Sequence, residues 1–525
     1  MSNIKIYILV MILCGMGYAV LRFATKRDAG FYIGATSPVA YALSVFSLIV
    51  APFAGLVLIW QNIMLVAFST GRRKAMHLSV FFTLLLPWIQ WNTGAGGSQF
   101  LPFTTVSFLQ IGFAIALAMA PKPKRADRSG WTLEDGVVVW LCLILWIGPY
   151  RFPSTTAFLR EGLETALSIG LPYLLLRKAM RSVADVRLVI CTVAGAAVIQ
   201  SVLALYEARA GWLPFTILRS PFMSISYAST MMTRGNALRS GTTLGIPLAL
   251  SLLILMGFAA SICSLDKFKS KAWAAGCVFI VFMGLVATQS RSALLVCALV
   301  GVLGMAFLGR KGLAIACAGV ATGGYVVLIG LAAVVPRIAV FMNMNPGATR
   351  FGTHSDYRGL LLERGMQEGA KHMWTGLNIQ TVLANLQDIV QGEGIVDFVN
   401  TYLYLYLVSG LLGLVPLAIM IFMIVKNLAF DVRIRGDNDF RAARAFAITA
   451  LIMILVEITF ISFISIVPYC LMLTLAVSRT VRMEYVRHRN ALRAKVQPLA
   501  PSIEELAPAL GRPLPPGRHH VPTAT

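Results

Sequence analysis

The stretch "WAAGCVFIVFMGLVATQSRSALLVCALVGVLGMAF", residues 273–307, places two apolar runs on either side of the polar segment "TQSRS", residues 288–292. Lipid offers no partner for open backbone groups, so apolar runs of this kind are typical of membrane-spanning helices. We therefore predict two spans joined by a short polar turn. A pair of spans does not by itself explain why Arg291 stands at the head of the second one.

The composition extends this interpretation to nearly the whole chain. Of its 525 residues, 58% are hydrophobic and 13% are charged, and the mean hydropathy is +0.76. Apolar runs recur along the sequence, and we count about 14 candidate spans within a range of roughly 12 to 15. The sequence therefore predicts an all-α polytopic membrane protein.

Short basic clusters separate the apolar runs. Six of them are separated from one another by two candidate spans each, namely residues 71–74, 121–128, 177–187, 266–271, 309–311 and 426–444. Cytoplasmic loops collect Lys and Arg, so all six are predicted to be cytoplasmic, which also accounts for the net charge of +23 without nucleic-acid binding. The basic segment 22–28 joins them only if the run 39–69 is a hairpin broken near Pro52.

Three regions follow from this pattern. Residues 1–130 are predicted to form N-terminal transmembrane helices, and residues 131–480 the main membrane domain. The main domain includes an external loop, residues 336–397, whose segment 357–378 has the spacing of an amphipathic helix at the membrane surface. Residues 481–525 form a basic, proline-rich tail that is predicted to be cytoplasmic and disordered.

The predicted orientation places Arg291 on the external side, where the positive-inside tendency does not require an arginine. One interpretation is a guanidinium that reaches the outer membrane interface, and the other is a fixed cation that binds an anion. Arginine is preferred where a planar, permanently charged group binds phosphate or carboxylate. The same side also holds Arg219, Arg234, Arg239, Arg337, Arg350, Arg358 and Arg364. We therefore predict an anionic substrate at the outer face, such as a lipid-linked diphosphate.

The segment "RGNALRSGTTLGIPLALSLLIL", residues 234–255, supports an anion site, because glycines near a helix start let the backbone approach an anion. The alternative is a glycine-rich loop before an ordinary span. A general base for a sugar hydroxyl would come from the external acidic and histidine residues, which are Glu207, His354, Asp356, Glu363, Glu368, His372, Asp388, Glu393 and Asp397. Glu457, within an apolar run, is either functional or a helix-packing residue. The spacing of these residues predicts no metal site.

Five segments occur in a characteristic order between about residues 185 and 425. They are "LALYEARAG" (203–211), "RGNALRSGTTLGIPLAL" (234–250), "TQSRSALLVCALVGVLG" (288–304), "YRGLLLERGMQEGAKHMWTGLN" (357–378) and "DFVNTYLYLYLVSGLLGLVPL" (397–417). In this order they resemble the O-antigen ligase and Wzy-type O-antigen polymerase superfamily of bacterial integral membrane glycosyltransferases.

The resemblance implies a GT-C-like fold and a metal-independent transfer, without cofactor, of an undecaprenyl-diphosphate-linked glycan at the periplasmic face of the inner membrane. It implies that Arg291, with Arg234 or Arg239, contacts the diphosphate and stabilises the leaving group. His354 or Asp397 would then supply the base. The candidate substrate-binding residues are Glu207, Gly241, Arg358, Arg364, Asn400 and Tyr402. Besides the lipid bilayer, a chain-length regulator or a flippase is a candidate partner.

One departure from the family pattern affects the choice of reaction. Val399 stands where the ligases carry the histidine of a His-Asn pair, and only Asn400 remains. This disfavours an O-antigen ligase acting on a lipid A core and favours a polymerase of lipid-linked repeat units for O-antigen, capsule or exopolysaccharide. A flippase or transporter of lipid-linked sugars is the third alternative, but transporters usually place ionisable groups near the bilayer midplane.

Overall fold

A computed structural model describes most of the chain. The described residues are 3–27, 29–32, 34–50, 53–92, 102–121, 130–147, 155–215, 223–224, 233–234, 237–332, 334–335, 354–389, 396, 398, 400–429, 437–461 and 466–496. Their α-helices are α1 (Asn3–Ala24), α2 (Thr36–Val50), α3 (Ala54–Phe68), α4 (Arg72–Leu85), α5 (Thr105–Met119), α6 (Leu133–Ile147), α7 (Thr155–Thr165), α8 (Leu171–Ala179), α9 (Val183–Ala210), α10 (Pro247–Cys263), α11 (Lys271–Ala287), α12 (Arg291–Phe307), α13 (Lys311–Ala332), α14 (His354–Ala370), α15 (Ile379–Asn385), α16 (Thr401–Leu428), α17 (Asn438–Glu457) and α18 (Ile466–Val496). A π-helical turn, Ala166–Gly170, connects α7 to α8.

Short strands accompany the helices. They are β1 (Gln90–Asn92), β2 (Pro102–Thr104), β3 (Met223–Ser224), β4 (Thr233–Arg234) and β5 (Ala237–Leu238). β1 pairs with both β2 and β3, and β4 pairs with β5, all antiparallel. The chain divides into two compact units, Met1–Val481 and Arg482–Thr525. In the second unit residues 482–496 are helical, although the sequence analysis assigned them to the disordered tail, and residues 497–525 lie outside the described part.

The helices have the character of a membrane protein. Within the described residues, five helices are long and apolar enough to cross a bilayer, namely Ile4–Ala24, Val183–Ala210, Lys311–Ala332, Thr401–Leu428 and Ile466–Leu492. Six shorter apolar helices accompany them, which are α2, α3, α5, α10, α11 and α12. The chain is therefore a helical membrane protein, as its composition predicts, while the count of about 14 spans stays a prediction.

Ion pairs join the basic clusters at one end of the helices, which we call the basic end. Asp185, in the first turn of α9, accepts hydrogen bonds from Arg72 Nη1 (2.9 Å) and Arg73 Nε (2.7 Å). Arg187, two residues further along, donates to Asp266 Oδ1 at 2.6 Å and pairs with Asp439 at 3.1 Å. These contacts bring four of the six clusters together, as the predicted orientation requires.

Residues 22–27 of the basic segment 22–28 also lie at the basic end. Lys26 N donates to Lys267 O (3.0 Å), and Lys26 Nζ donates to Asp266 O (2.8 Å). The apolar run 39–69 is accordingly two helices, α2 and α3, with Pro52 in the gap between them that lies outside the described residues. Of the two interpretations of this run, the broken hairpin is confirmed, because it returns the chain to the basic end.

Helix α9 forms the centre of the first unit, where α1, α4, α10 and α11 pack against it. Small residues make this close packing possible. A Cβ on Gly257 of α10 would lie 1.9 Å from Ala197 Cβ, and one on Gly284 of α11 would lie 2.3 Å from Ser201 Oγ. Helices in lipid associate through close backbone approach of this kind, so α9 fixes the positions at which α10 and α11 end.

A turn from the external loop region is inserted into a break in α16. The break is at Gly410, whose backbone has φ 62° and ψ −158°. Leu377 N donates to Leu407 O (2.7 Å), and Leu411 N donates to Met373 O (2.7 Å), so residues 373–377 take up backbone groups that the break leaves open. We call residues 372–377 the inserted turn. It attaches α14, which precedes it, to the membrane helix α16.

We predict that Gly376→Ala disrupts the inserted turn. Gly376 has φ +66°, and an added Cβ would lie 2.4 Å from the carbonyl carbon of Val408. The left-handed backbone alone costs an L-residue about 1–2 kcal/mol, and the clash with backbone atoms adds to this cost. The purified protein should therefore melt several degrees lower in detergent, measured by tryptophan fluorescence.

Gly319→Ala in α13 is the matched control for this substitution. Gly319 is exposed and helical, and an added Cβ there would meet nothing within 4 Å. Alanine is the better helix former, so this variant should melt no lower than the wild type. Equal melting temperatures for the two variants would show that the inserted turn does not stabilise the fold.

Candidate functional site

The "TQSRS" turn lies at the end of the helices opposite the basic end, where α11 ends and α12 begins. Gln289 adopts a left-handed φ of 52°, which reverses the chain within the turn. Its side-chain Nε2 donates a hydrogen bond to Leu238 O at 3.2 Å. The turn is thereby attached to β5, the strand that leads into the glycine-containing segment.

Residues 239–245, which we call the arginine–glycine loop, pack directly beside this turn. Ser240 N donates to Ala287 O at 3.1 Å, and Ser240 Oγ donates to Ala204 O at 2.7 Å. The loop is therefore held between the last turn of α11 and the last turns of α9. This places Arg239 next to "TQSRS", as its Nε donates to Thr288 O at 3.2 Å.

Glu207, near the end of α9, determines the conformation of the arginine–glycine loop. Its side chain is buried, and Oε2 accepts hydrogen bonds from Gly241 N (3.1 Å) and Thr242 N (2.9 Å). Gly241 is needed for close packing, because a Cβ there would lie 3.0 Å from the carbonyl of Gly245. Two of the predicted substrate-binding residues, Glu207 and Gly241, thus shape the loop that carries Arg239.

Arg291 occupies the first position of α12 and is half-buried. Among the described residues, the charge that acts on it is that of Arg358, from the first turns of α14. Arg358 is exposed, and its guanidinium lies 5.4 Å from the centroid of the Phe460 ring. Arg239, Arg291 and Arg358, which we call the arginine cluster, therefore come from three separate segments to one place.

The electrostatics of the arginine cluster favour an anion. A helix N-terminus carries a partial positive charge, so a cation at the first position of α12 is unfavourable by itself. A second guanidinium of the same sign adds repulsion, and partial burial removes solvent screening. A phosphate between the guanidinium groups would relieve both effects, because arginine binds phosphate through paired, charge-assisted hydrogen bonds.

A carboxylate lies beside the cluster. Glu457, the last residue of α17, is fully buried, and its Oε2 accepts a hydrogen bond from Ser292 Oγ at 3.4 Å. The charge of Arg358 also acts on it. The sequence alone was compatible with either a functional or a helix-packing role for Glu457. In the structure Glu457 lies near arginine side chains, which its apolar neighbours in the sequence do not indicate.

Asn400 and Tyr402 begin α16 next to the end of α17. Asn400 caps the helix, with Oδ1 accepting from Tyr402 N (2.9 Å) and Leu403 N (3.1 Å). The Tyr402 hydroxyl donates to Leu455 O in the last turn of α17 at 3.2 Å. Both predicted substrate-binding residues therefore hold the start of α16 against the helix that carries Glu457.

Other predicted site residues lie apart from the cluster or beyond the described side chains. Arg364 pairs with Asp388, and its Nε donates to Asp388 Oδ2 at 3.0 Å, so it joins α14 to the turn after α15. Arg234 is in β4 and His354 begins α14, but neither side chain is described. Asp397, like Val399, lies outside the described residues.

The acidic residues of the external region differ in their environments. Glu368 in α14 accepts hydrogen bonds from Lys371 Nζ and Asn385 Nδ2, and the bond from Lys371 is the main reason that the pKa of Glu368 is lowered. Its carboxylate is thus engaged in holding α14 to α15. In the described part of the chain, no three His, Cys, Asp or Glu residues are grouped as metal ligands would be.

Sequence analysis did not assign a role to Ser292 or Phe460. Ser292 follows Arg291 directly, so its position beside the guanidinium is the one signal that the sequence contains. Phe460 belongs to an apolar stretch and carries no such signal. Neither a protein-family model nor a curated protein matches the chain.

We predict that Glu207→Ala destabilises the arginine–glycine loop. The substitution removes the acceptor of two backbone N–H groups, and a buried polar group without a partner costs roughly 1–3 kcal/mol. Thermal unfolding in detergent should show a clear decrease in melting temperature. Glu207→Gln, which keeps one acceptor oxygen, should lie between Glu207→Ala and the wild type.

The exposed Glu363 of α14 provides the control for a lost carboxylate. Glu363→Ala should leave the melting temperature within a degree or so of the wild type, since exposed substitutions usually change stability by less than about 0.5 kcal/mol. A wild-type melting temperature for Glu207→Ala would contradict the supporting role of Glu207.

Proposed function

We propose that the chain is a polysaccharide polymerase, a glycosyltransferase that transfers an undecaprenyl-diphosphate-linked glycan to a lipid-linked acceptor. The convergence of Arg239, Arg291 and Arg358 at the end opposite the basic clusters is the observation that carries this proposal. It gives four of the five family-like segments a common site.

A lipid-linked diphosphate fits the position of the cluster as well as its charge. Arg291 begins an apolar helix, so its guanidinium lies where a membrane helix meets the headgroup region. A polyprenyl chain would remain in the bilayer while its diphosphate reaches this level. Three arginines from separate segments provide the forked donors that a diphosphate accepts.

The chemistry requires that negative charge be stabilised on the leaving diphosphate. A hydroxyl of the acceptor attacks the anomeric carbon, and the bond from that carbon to the phosphate oxygen breaks. Guanidinium groups held near that oxygen act as a divalent metal ion does in other transferases. The proposed reaction is therefore metal-independent, with the arginine cluster stabilising the leaving group.

The proposal includes a location and an orientation. The chain would be a multi-pass protein of a bacterial inner membrane, with the arginine cluster at the periplasmic face and the C-terminal tail in the cytoplasm. Positive-inside orientation supports this, since the ion-paired basic clusters share the other end. A chain-length regulator or a flippase would be partner proteins.

A polymerase is preferred to a ligase because Val399 replaces the histidine that ligases carry. A flippase is less consistent with the charge distribution, because the arginine cluster lies at helix ends, whereas transporters usually place ionisable groups within the spans. The sugar and its linkage stay open, so O-antigen, capsule and exopolysaccharide are equally compatible.

We predict that Arg291→Ala abolishes long polymer and causes single lipid-linked repeat units to accumulate. Removing one donor to a developing negative charge typically lowers the rate by about 10²–10³-fold. Polymer length in membranes of a deletion strain that expresses the variant can be read on a gel. Accumulation on the cytoplasmic side instead would indicate a flippase.

Arg209→Ala is the matched control for Arg291→Ala. Arg209 is an exposed arginine in the last turn of α9, at the same end of the helices as the arginine cluster. Polymer length should be unchanged in this variant. Normal polymer with Arg291→Ala, or equal losses in both variants, would contradict the proposal.

The orientation is tested by cysteine labelling. We predict that Gln380→Cys, exposed on α15, reacts with a membrane-impermeant maleimide in spheroplasts, while Lys311→Cys, exposed at the start of α13, reacts only after permeabilisation. The background should be low, since the native cysteines are buried or partly buried. The reverse pattern would place the arginine cluster in the cytoplasm.

A further inference from the structure

Glu457 has an incomplete hydrogen-bond environment. Its side chain is fully buried, yet only Oε2 has a donor, Ser292 Oγ, and Oε1 has no hydrogen-bond partner. A buried carboxylate oxygen without a partner costs free energy, and native folds rarely keep one without a reason. The open oxygen lies in the same place as the arginine cluster, where a substrate would supply the missing donor.

The position of Glu457 is fixed by backbone contacts. Thr401 N donates to Ile458 O at 2.8 Å, and Thr401 Oγ1 donates to Ile461 O, so the turn after Glu457 is bound to the start of α16. The guanidinium of Arg358 lies over the ring of Phe460, which is part of that turn. Glu457 is therefore held in place before any substrate arrives, as a catalytic group should be.

The charged and polar groups around Glu457 come from three helices. Ser292 on α12 is its hydrogen-bond donor and follows Arg291, and Arg358 on α14 is the charged group that acts on it. Tyr402 on α16 donates its hydroxyl to Leu455 O. Burial disfavours the ionised form of Glu457, while the hydrogen bond from Ser292 and the charge of Arg358 act in the opposite direction, toward the carboxylate that can accept a proton.

We propose that Glu457 is the catalytic base that accepts the proton of the attacking hydroxyl. This inference rests on the proposed polymerase function. It assigns the role of base to Glu457 instead of His354 or Asp397, the two candidates that the sequence offered. The acceptor oxygen forms a bond to the anomeric carbon, and the bond from that carbon to the phosphate oxygen breaks with its electron pair. The hydroxyl proton passes to Glu457 Oε1, and the arginine cluster holds the departing diphosphate.

The same geometry explains how a buried carboxylate meets a substrate. Arg358 is exposed and lies over Phe460, three residues beyond Glu457. For Glu457 to act as the base, donor binding would have to give the acceptor hydroxyl access to Oε1, which is buried in the substrate-free protein. Exclusion of water in the absence of substrate then limits hydrolysis of the activated donor.

The test uses the full-length protein in nanodiscs with a purified undecaprenyl-diphosphate oligosaccharide that serves as donor and acceptor. Glu457→Gln keeps an oxygen for Ser292 and nearly the same shape, so a packing role would survive it. We expect transfer to fall about 100-fold or more, which is the range for a lost general base. Donor affinity, measured by surface plasmon resonance on the nanodiscs, should stay within about threefold of the wild type, as a base in the chemical step predicts.

The pH profile provides a second measurement that does not depend on the folding of this variant. Wild-type transfer should decrease at low pH, where the carboxylate is protonated, and residual Glu457→Gln activity should lack this limb. Ser292→Ala removes the donor that favours the ionised carboxylate, so its acid limb should move to higher pH.

Three outcomes would overturn the assignment of Glu457. They are transfer by Glu457→Gln within about threefold of the wild type, a loss of donor affinity equal to the loss of rate, and an acid limb unchanged in Ser292→Ala. If wild-type protein transfers glycan in the same assay, any of these removes the base but leaves the polymerase function. A wild-type protein that binds the donor without transferring it would instead contradict the polymerase itself.

Discussion

A bilayer supplies neither hydrogen-bond partners nor counter-ions, and this constraint sorts the charged residues of the chain to the two ends of its helices. At the basic end the positive charges are neutralised within the protein. Asp185 forms ion pairs with Arg72 and Arg73, and the buried Arg187 forms ion pairs with Asp266 and Asp439. These pairs connect segments that are far apart in sequence, so the charges at the basic end also hold the helix ends together.

The other end follows a different rule. Arg291 is placed against a helix dipole and near Arg358, a charge of its own sign, and the carboxylate nearby, Glu457, bonds to a serine rather than to Arg291. A protein that needed only solubility there would gain nothing from this arrangement. Arg291 is thus distinguished by its surroundings, a helix N-terminus and a charge of its own sign, rather than by the number of arginines nearby.

Features that arise from local sequence patterns could be predicted from the sequence, whereas features that arise from contacts between distant residues could not. Basic clusters and apolar runs are local patterns, so the membrane class and the shared basic end were predictable, and Pro52 marked the hairpin between α2 and α3. The break in α16 could not be predicted, because "LVSGLLGLVPL" is almost entirely apolar. Gly410 departs from helical geometry at the place where the inserted turn forms hydrogen bonds with the neighbouring backbone groups. Arg364 carried the same local signal as Arg358, but Asp388, 24 residues away, pairs with it. The link from Ser292 to Glu457 spans 165 positions and has no sequence signature.

Catalysis by fixed charges requires that the charges be positioned before the substrate binds, because a side chain that must reorganise loses most of its electrostatic advantage. Each member of the arginine cluster has its own support. Glu207 shapes the loop of Arg239, and the Gln289 turn sets the start of α12 at Arg291. Arg358 is on α14, and the inserted turn attaches that helix to α16 through backbone hydrogen bonds. The left-handed Gly376 and the broken helix at Gly410 thus help to hold in place the helix that carries Arg358.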